Sequence, residues 1–419
     1  MNQPRSNFPK DFFWGASTAS HQVEGGTHNQ WSVWEIKHAA ERAKKAQKRL
    51  GWQPNWENIK NQAEDPNNYI SGKGVDHYSL YPEDFKLIKE LNLNSFRFGI
   101  EWSRIEPNEG EWNNEAIAHY KKYIAELRAQ DIEPFINIWH WTNPVWFEEK
   151  GAFAKKSNLK YFERFVQKVA DELIDDIQYV LTINEANNYM SMGYILGQWP
   201  PLQSNNIYNA MKVYYNLVLA HRIAYKTLKA KKPSLMIGVA HDAAANFPKN
   251  PKNPFQRLIA SFSDYFWDVW YFKRIDRHQD FVGMNFYHTN YWKHVTFDNP
   301  KTPLSDIGWY MEPGRVYDVI MRLSKKFNKP IIVTENGVAD SSDQHRQWWI
   351  DQTIKAMDRA IADGADLRGY LHWSLLDNFE WAEGWWPKFG LVEVDRQNGM
   401  KRTVRPSAKW FSERIHQLR

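Results

Sequence analysis

Cysteine is absent from the 419 residues, which excludes disulfides and thiolate metal sites. Long hydrophobic runs are absent too. No stretch approaches the ~18 consecutive apolar residues that a membrane-spanning helix needs, so no membrane partner is expected. Residues 1–10 lack the apolar run of a secretory leader, and a cytoplasmic location is the expectation. Charge of one sign is in small excess. The balance of +5 is spread along the chain, whereas a nucleic-acid partner would call for clustering on one face. The densest basic run, Lys44, Lys45, Lys48 and Arg49, reads as a solvated helix face. No G-x-G-x-x-G turn follows the first apolar segment, which continues as Gly15-Ala16-Ser17-Thr18-Ala19-Ser20. Neither a linker nor an internal repeat is visible, so residues 1–419 are expected to form one domain.

What the chain has in abundance is aromatic side chains: 22 Trp, 20 Tyr and 23 Phe. Part of this must be core, since large rings bury much area. A surplus of Trp also suits flat apolar ligands such as pyranose rings. Eight short apolar segments stand at 12–17, 95–102, 134–141, 180–185, 236–241, 281–287, 330–335 and 367–374. Each is nearly continuously apolar, as strands buried on both faces should be. Amphipathic helical patterns lie between them. One is expected to begin at Pro82, with Glu83 and Asp84 serving the positive end of its dipole. Another carries Ile117, Tyr120, Ile124 and Leu127. A third carries Ile350, Ile354, Met357 and Ile361 and stops near Gly364. The alternation predicts an α/β fold, a single (β/α)8 TIM barrel, with an open doubly wound sheet as the alternative. A segment at about 35–68, with a basic helical stretch, Trp52 and Trp56, reads as an insertion in the first strand-to-helix loop. It has a place either in packing over the barrel rim or in a substrate entrance or subunit contact.

In such a barrel the site lies at the C-terminal ends of the strands. Those ends carry Arg97, His140-Trp141, Asn184-Glu185, Asn285 with Tyr287, Glu335-Asn336 and Trp373. Two carboxylates on strands four and seven are what glycoside hydrolysis requires. One attacks the anomeric carbon while the other protonates the leaving oxygen. A lone Glu at a strand end is more often a surface or salt-bridged residue. Two of them beside Arg, Asn, His, Tyr and several Trp point to catalysis. No H-E-x-x-H or comparable spacing accompanies His140, so neither a metal nor another cofactor is expected.

Thr182-Ile183-Asn184-Glu185 and Ile332-Val333-Thr334-Glu335-Asn336-Gly337 resemble the acid/base and nucleophile motifs of glycoside hydrolase family 1. Phe13-Trp14-Gly15-Ala16-Ser17-Thr18-Ala19, with Gln22 and Glu24, resembles its N-terminal signature. Ser95-Phe96-Arg97, then Glu101-Trp102-Ser103-Arg104-Ile105, is similar to its second strand, and Trp373 to Trp381 to its C-terminal signature. The likeness runs from residue 8 to about 410, in the family's order.

The resemblance implies a retaining β-glucosidase acting on β-glucosides or short β-linked oligosaccharides. Glu335 would be the nucleophile, kept ionised by Arg97 and Tyr287. Glu185 would be the acid and then the base, its pKa raised by Glu335. Asn184 would bond the 2-hydroxyl, and Asn285 would support the site around Tyr287. Gln22, His140, Glu380 and Trp381 would bind the other hydroxyls. Trp373 would floor the ring, with Trp141 and Phe389 as its wall. The chain departs from the family at Ala186, where proline is usual, and at Trp385-Trp386-Pro387, near the place of the 6-hydroxyl. A 6-phospho-β-glycosidase would need cations or hydroxyls where Glu380 stands. A non-catalytic sugar-binding protein would not need both carboxylates.

Overall fold

All eight apolar segments become strands, and hydrogen bonding closes them into one parallel barrel. In the computed structural model, which describes residues 6–419, these are β1 (Phe13–Ser17), β2 (Ser95–Gly99), β3 (Glu133–Trp139), β4 (Tyr179–Asn184), β5 (Met236–Pro248), β6 (Val282–Trp292), β7 (Ile331–Asn336) and β8 (Leu367–Trp373). Each pairs with its sequence neighbours, and β1 closes on β8 with Gly15 opposite Leu371 and Ser17 opposite Trp373. The closed order removes the open-sheet alternative. Residues 1–5, part of the single-domain expectation and of the leader reading, lie outside the described residues.

Two apolar layers hold this arrangement. Inside the barrel, Phe135, Leu181, Ala240, Phe281, Ile332 and Leu371 form a small cluster with Phe13, Tyr179 and Met236 packed against it. A much larger cluster fills the space between the strands and the surrounding helices. Strand side chains alternate between faces. Trp373, two residues beyond Leu371, therefore faces the same way one layer higher, as Asn285 and Tyr287 do above Phe281. The interior thus changes from an apolar plug to a polar, aromatic layer at the C-terminal rim.

Three expectations need correction. The helix expected at Pro82 spans His77–Glu90, with Pro82 inside it. Its first turn is tied down through His77, whose Nδ1 lies 2.7 Å from Asp84 Oδ2 in the same helix and whose Nε2 lies 2.7 Å from Tyr123 Oη in a neighbouring one. Those contacts offset the donor that proline lacks. Asp84 is accordingly a buried partner of His77 and Arg402, not an exposed dipole acid. Strands β5 and β6 also run past their expected ends at 241 and 287, pairing as far as Pro248 opposite Trp292. The Ala243-Ala244-Ala245 run hides this, because alanine is a poor strand former. Finally, a hairpin of β9 (Val392–Asp395) and β10 (Lys401–Val404) precedes the last helix, Pro406–Leu418, and no sequence pattern marked it.

Residues 35–68 lie between β1 and the His77–Glu90 helix. They contribute helices Gln30–Lys44, Ala46–Leu50 and Trp56–Ala63 and the 3-10 turn Pro66–Tyr69. Ala46, Leu50, Trp56 and Ile59 bury against the main core, so the segment packs over the rim. Among the described residues, no helix is long and apolar enough to cross a membrane.

Candidate active site

The strand ends converge as expected, and a continuous hydrogen-bond network joins them. Glu335, near the end of β7, accepts from Arg97 Nη1 through Oε1 and from the Tyr287 hydroxyl through Oε2 at 2.9 Å. Arg97 Nη2 donates to Asn184 Oδ1 at 2.8 Å. Glu185 follows β4 and precedes the short helix Ala186–Met190. It accepts from Asn285 Nδ2 at 2.6 Å and from Asn188 Nδ2 at 2.8 Å. The two carboxylates therefore sit in unlike surroundings. Glu335 has a guanidinium partner, whereas Glu185 has only neutral amide donors.

Burial decides the protonation of the second one. Glu185 is pushed well above the usual carboxylate range, first by burial, then by the charges of Glu335 and Asp242. The sign agrees with the sequence expectation, although burial rather than Glu335 is the larger cause. Asn285, expected beside Tyr287, instead binds Glu185, while Thr334 Oγ1 donates to its Oδ1 at 2.7 Å. Asn285 and Tyr287 share a face of β6 but stand one layer apart, and the lower residue reaches Glu185.

The network also fixes a histidine tautomer. Asn184 Oδ1 accepts from Arg97 and Asn285, so its Nδ2 must donate to His140 Nε2, 2.9 Å away. The ring proton then lies on His140 Nδ1, which is buried without a partner. Burial and the Arg97 charge hold His140 well below its ordinary pKa, so it is neutral. Gln22 offers the complementary case. Its Nε2 donates to Asn378 Oδ1 at 2.9 Å and to the Phe379 carbonyl at 2.7 Å, while its Oε1 is buried and unpartnered. One free donor and one free acceptor are thus held in place at costs of about 1–3 kcal/mol each when unmet.

Aromatic rings wall this polar layer. Trp373 lies 6.1 Å from His140, and Trp381 packs on Trp141 at 4.8 Å and on His140 at 5.7 Å between ring centroids. Phe389 meets Tyr287 edge-on at 6.4 Å. Trp141, Glu185 and Trp381 all adopt left-handed backbone conformations, with φ of 69°, 40° and 45°. For such residues this costs roughly 1–3 kcal/mol each, a strain that gathers where side chains must be aimed. Gly337 permits the close approach of β7 and β8 here, since a Cβ on it would stand 1.8 Å from the Trp373 carbonyl oxygen. Glu380 is partly exposed at the edge of the layer, and burial, then Glu335, push its pKa up to about 8.

Both departures from the family pattern are accommodated. Ala186 is buried at the first position of its helix, where proline is favoured but not required. Trp385 is fixed by its indole bond to the Ile70 carbonyl at 2.9 Å, and Trp386 is buried with its Nε1 unpartnered.

Three residues escaped the sequence reading. Asp242, on β5, is a third buried carboxylate. Its Oδ2 accepts from Trp267 Nε1 at 3.0 Å, its Oδ1 has no partner, and burial first raises its pKa to about 7. Reading the fifth strand to its true end would have found it. Asn188 is three residues beyond Glu185, the spacing that returns a side chain to the same helix face. Trp199 packs on Trp141 at 4.5 Å from a loop with no strand signal.

The profile of glycosyl hydrolase family 1 matches residues 4–277 and 256–418. β-Glucosidase A of Acetivibrio thermocellus is 28% identical, over 97% of this chain and 98% of its own length. The 1,4-β-D-glucan glucohydrolase of Thermotoga neapolitana is also 28% identical, over 97% and 98%. Among solved structures, a β-glycosidase from Pyrococcus horikoshii superposes with a TM-score of 0.84 at 31% identity, covering 98% of this chain and 95% of the other. The Thermotoga maritima β-glucosidase in complex with glucoimidazole superposes with a TM-score of 0.86 at 27% identity, over 98% and 99%.

Proposed function

The chain belongs to glycosyl hydrolase family 1 and is a glycoside hydrolase, and from that premise we propose that it is a retaining β-glucosidase with Glu335 as nucleophile and Glu185 as acid/base. The observation that carries the assignment is the unequal setting of the two glutamates. Arg97 and Tyr287 both donate to Glu335 and complement the negative charge that a nucleophile carries. Glu185 has no cation and is held protonated by burial and by neighbouring negative charge. A carboxyl kept protonated in this way is suited to the role of acid.

In the first step Glu335 forms a bond to the anomeric carbon as the glycosidic bond breaks. The Glu185 proton passes to the leaving oxygen. Esterification removes the Glu335 charge, and with it one cause of the raised Glu185 pKa. Glu185 then takes a proton from water, whose oxygen attacks the anomeric carbon and frees Glu335. The sugar is held by the unmet groups: Gln22 Oε1 accepts from one hydroxyl and His140 Nδ1 donates to another. The second hydrogen of Asn184 Nδ2 faces the 2-hydroxyl, an interaction that strengthens in the transition state. Trp373 lies under the ring, with Trp141 and Phe389 beside it. Glu380 and Trp381 bind the outer hydroxyls, and hydroxyl donors would lower the Glu380 pKa. The names of the relatives support glucose as the sugar.

Azide rescue tests both roles at once. Glu335→Ala with an activated β-glucoside and azide is expected to give the α-glycosyl azide. Glu185→Ala should still form the glycosyl-enzyme from a substrate with a good leaving group, and azide should then release the β-glycosyl azide. The opposite pairing of products would exchange the roles. An α-configured first sugar from the unaltered enzyme would overturn the retaining mechanism.

A further inference from the structure

Beyond Glu380 and Trp381 a cavity of about 740 Å³ continues outward to the surface. That volume suits one mid-sized organic group. Trp34 and Trp52, from the 30–53 segment, line it together with Trp199 and Trp309. Trp52 is 66% exposed and sets the mouth. Its ring lies over the backbone of Gly308, where a Cβ would stand 2.7 Å away. Under the reading above, the leaving group departs into this space.

Its charge is not balanced. Arg49 Nη2 lies 3.0 Å from both oxygens of Glu383, and Arg42 Nη2 lies 3.8 Å from the same carboxylate. Two guanidiniums thus share one carboxylate. Arg42 Nε and Arg49 Nη1 are buried without partners. Burial, then the neighbouring Arg49 charge, lower the Arg42 pKa to about 10. Among the described residues, Glu383 is the only carboxylate paired with either arginine. Glu41 is taken by Lys45 at the mouth, and Glu380 lies against Gln22 on the sugar side. Arg49 came from a basic run that read as a solvated face. Lys44, Lys45 and Lys48 are indeed exposed, but Arg49 turns inward.

We propose that this cavity is a binding site for an aromatic leaving group bearing a carboxylate, with the aromatic ring between the tryptophans and the carboxylate against Arg42 and Arg49. This rests on the β-glucosidase reading and narrows its substrate class to glucosides of phenolic acids. A planar guanidinium pair matches a carboxylate in shape as well as charge.

The test compares two substrates at pH 6, 4-(carboxymethyl)phenyl β-glucoside and its neutral 4-(carbamoylmethyl)phenyl counterpart. The methylene insulates the phenol oxygen, so the two leaving groups are nearly equal. The unaltered enzyme is expected to favour the acid by about tenfold in kcat/KM at low salt, and less at high salt. Arg49→Gln removes the surplus charge and should bring the ratio close to one, whereas Glu383→Gln should raise it. Each ratio is internal to one protein, so a general loss of activity does not mimic the effect. An acid-to-amide ratio of one or below in the unaltered enzyme, with the amide still hydrolysed, overturns the proposal. So does a ratio indifferent to salt and to both substitutions. Failure to hydrolyse either glucoside would instead strike the β-glucosidase reading.

Discussion

The floor of the pocket and the cavity above it are built on opposite plans. On the floor, Arg97, Asn184, Glu185, Asn285, Tyr287 and Glu335 stand on strands or at strand ends and bond to one another in an unbroken chain. Their positions follow from barrel closure, and strained residues such as Glu185 are held by neighbours on every side. Much of the cavity wall comes from a loop insertion whose two arginines, Arg42 and Arg49, reach a single carboxylate, Glu383. The floor is a connected network fixed from several strands at once. The wall can change without disturbing it, which is why loops carry specificity on a rigid scaffold.

The hardest break to that contrast is Arg97→Met. Arg97 is 0% exposed and pairs with a buried carboxylate, so its loss strands Glu335. Activity on an aryl β-glucoside should fall by about a thousandfold or more. Breaking a buried pair also costs roughly 3–5 kcal/mol, so the thermal midpoint should drop. Near-normal kinetics of the folded variant would make Arg97 structural only.

Glu380 stands on the border between the two regions. Glu380→Ala should cost about a hundredfold on β-glucosides, since a buried polar contact to a sugar hydroxyl is lost. The loss should be much smaller on β-fucosides, which lack the 6-hydroxyl. Equal losses on the two substrates would exclude contact with that hydroxyl.

Asp242 sharpens the comparison within the floor itself. Its charge raises the Glu185 pKa, and in the proposed role of acid Glu185 must be protonated. Activity is therefore lost as pH rises through that pKa. Asp242→Asn removes one raising cause, so the basic limb of kcat/KM should move to lower pH. A profile that does not move would mean that Asp242 serves only Trp267.

The smallest effect belongs to the mouth. Trp52→Ala should raise KM for 4-substituted aryl glucosides by about threefold relative to methyl β-glucoside. Its exposed side chain contributes little to folding, so stability should stay within about 0.5 kcal/mol. Equal loss on the small substrate would place Trp52 in the support of the floor.

Much of the floor was legible because two signals coincided. Short apolar runs located the strands, and the polar residue at the end of each run located the site. Glu185, Glu335, Arg97 and Tyr287 were found this way. Asp242 was missed because the alanines after it do not read as strand, and Asn188 because it sits on a five-residue helix. Arg42 and Arg49 were illegible for a different reason. A basic helix face looks the same whether it meets water or a carboxylate more than 300 residues away.

The amino-acid sequence by itself determined the barrel, since strands buried on both faces must be apolar and their spacing leaves room for a helix between each pair. It also determined which carboxylates stand at strand ends, because side-chain alternation is local. Only the tertiary structure decided that Asn285 serves Glu185, that His140 carries its proton on Nδ1, and that Arg49 turns inward to Glu383. Those outcomes depend on burial and on partners distant in the chain, and neither periodicity nor composition encodes them.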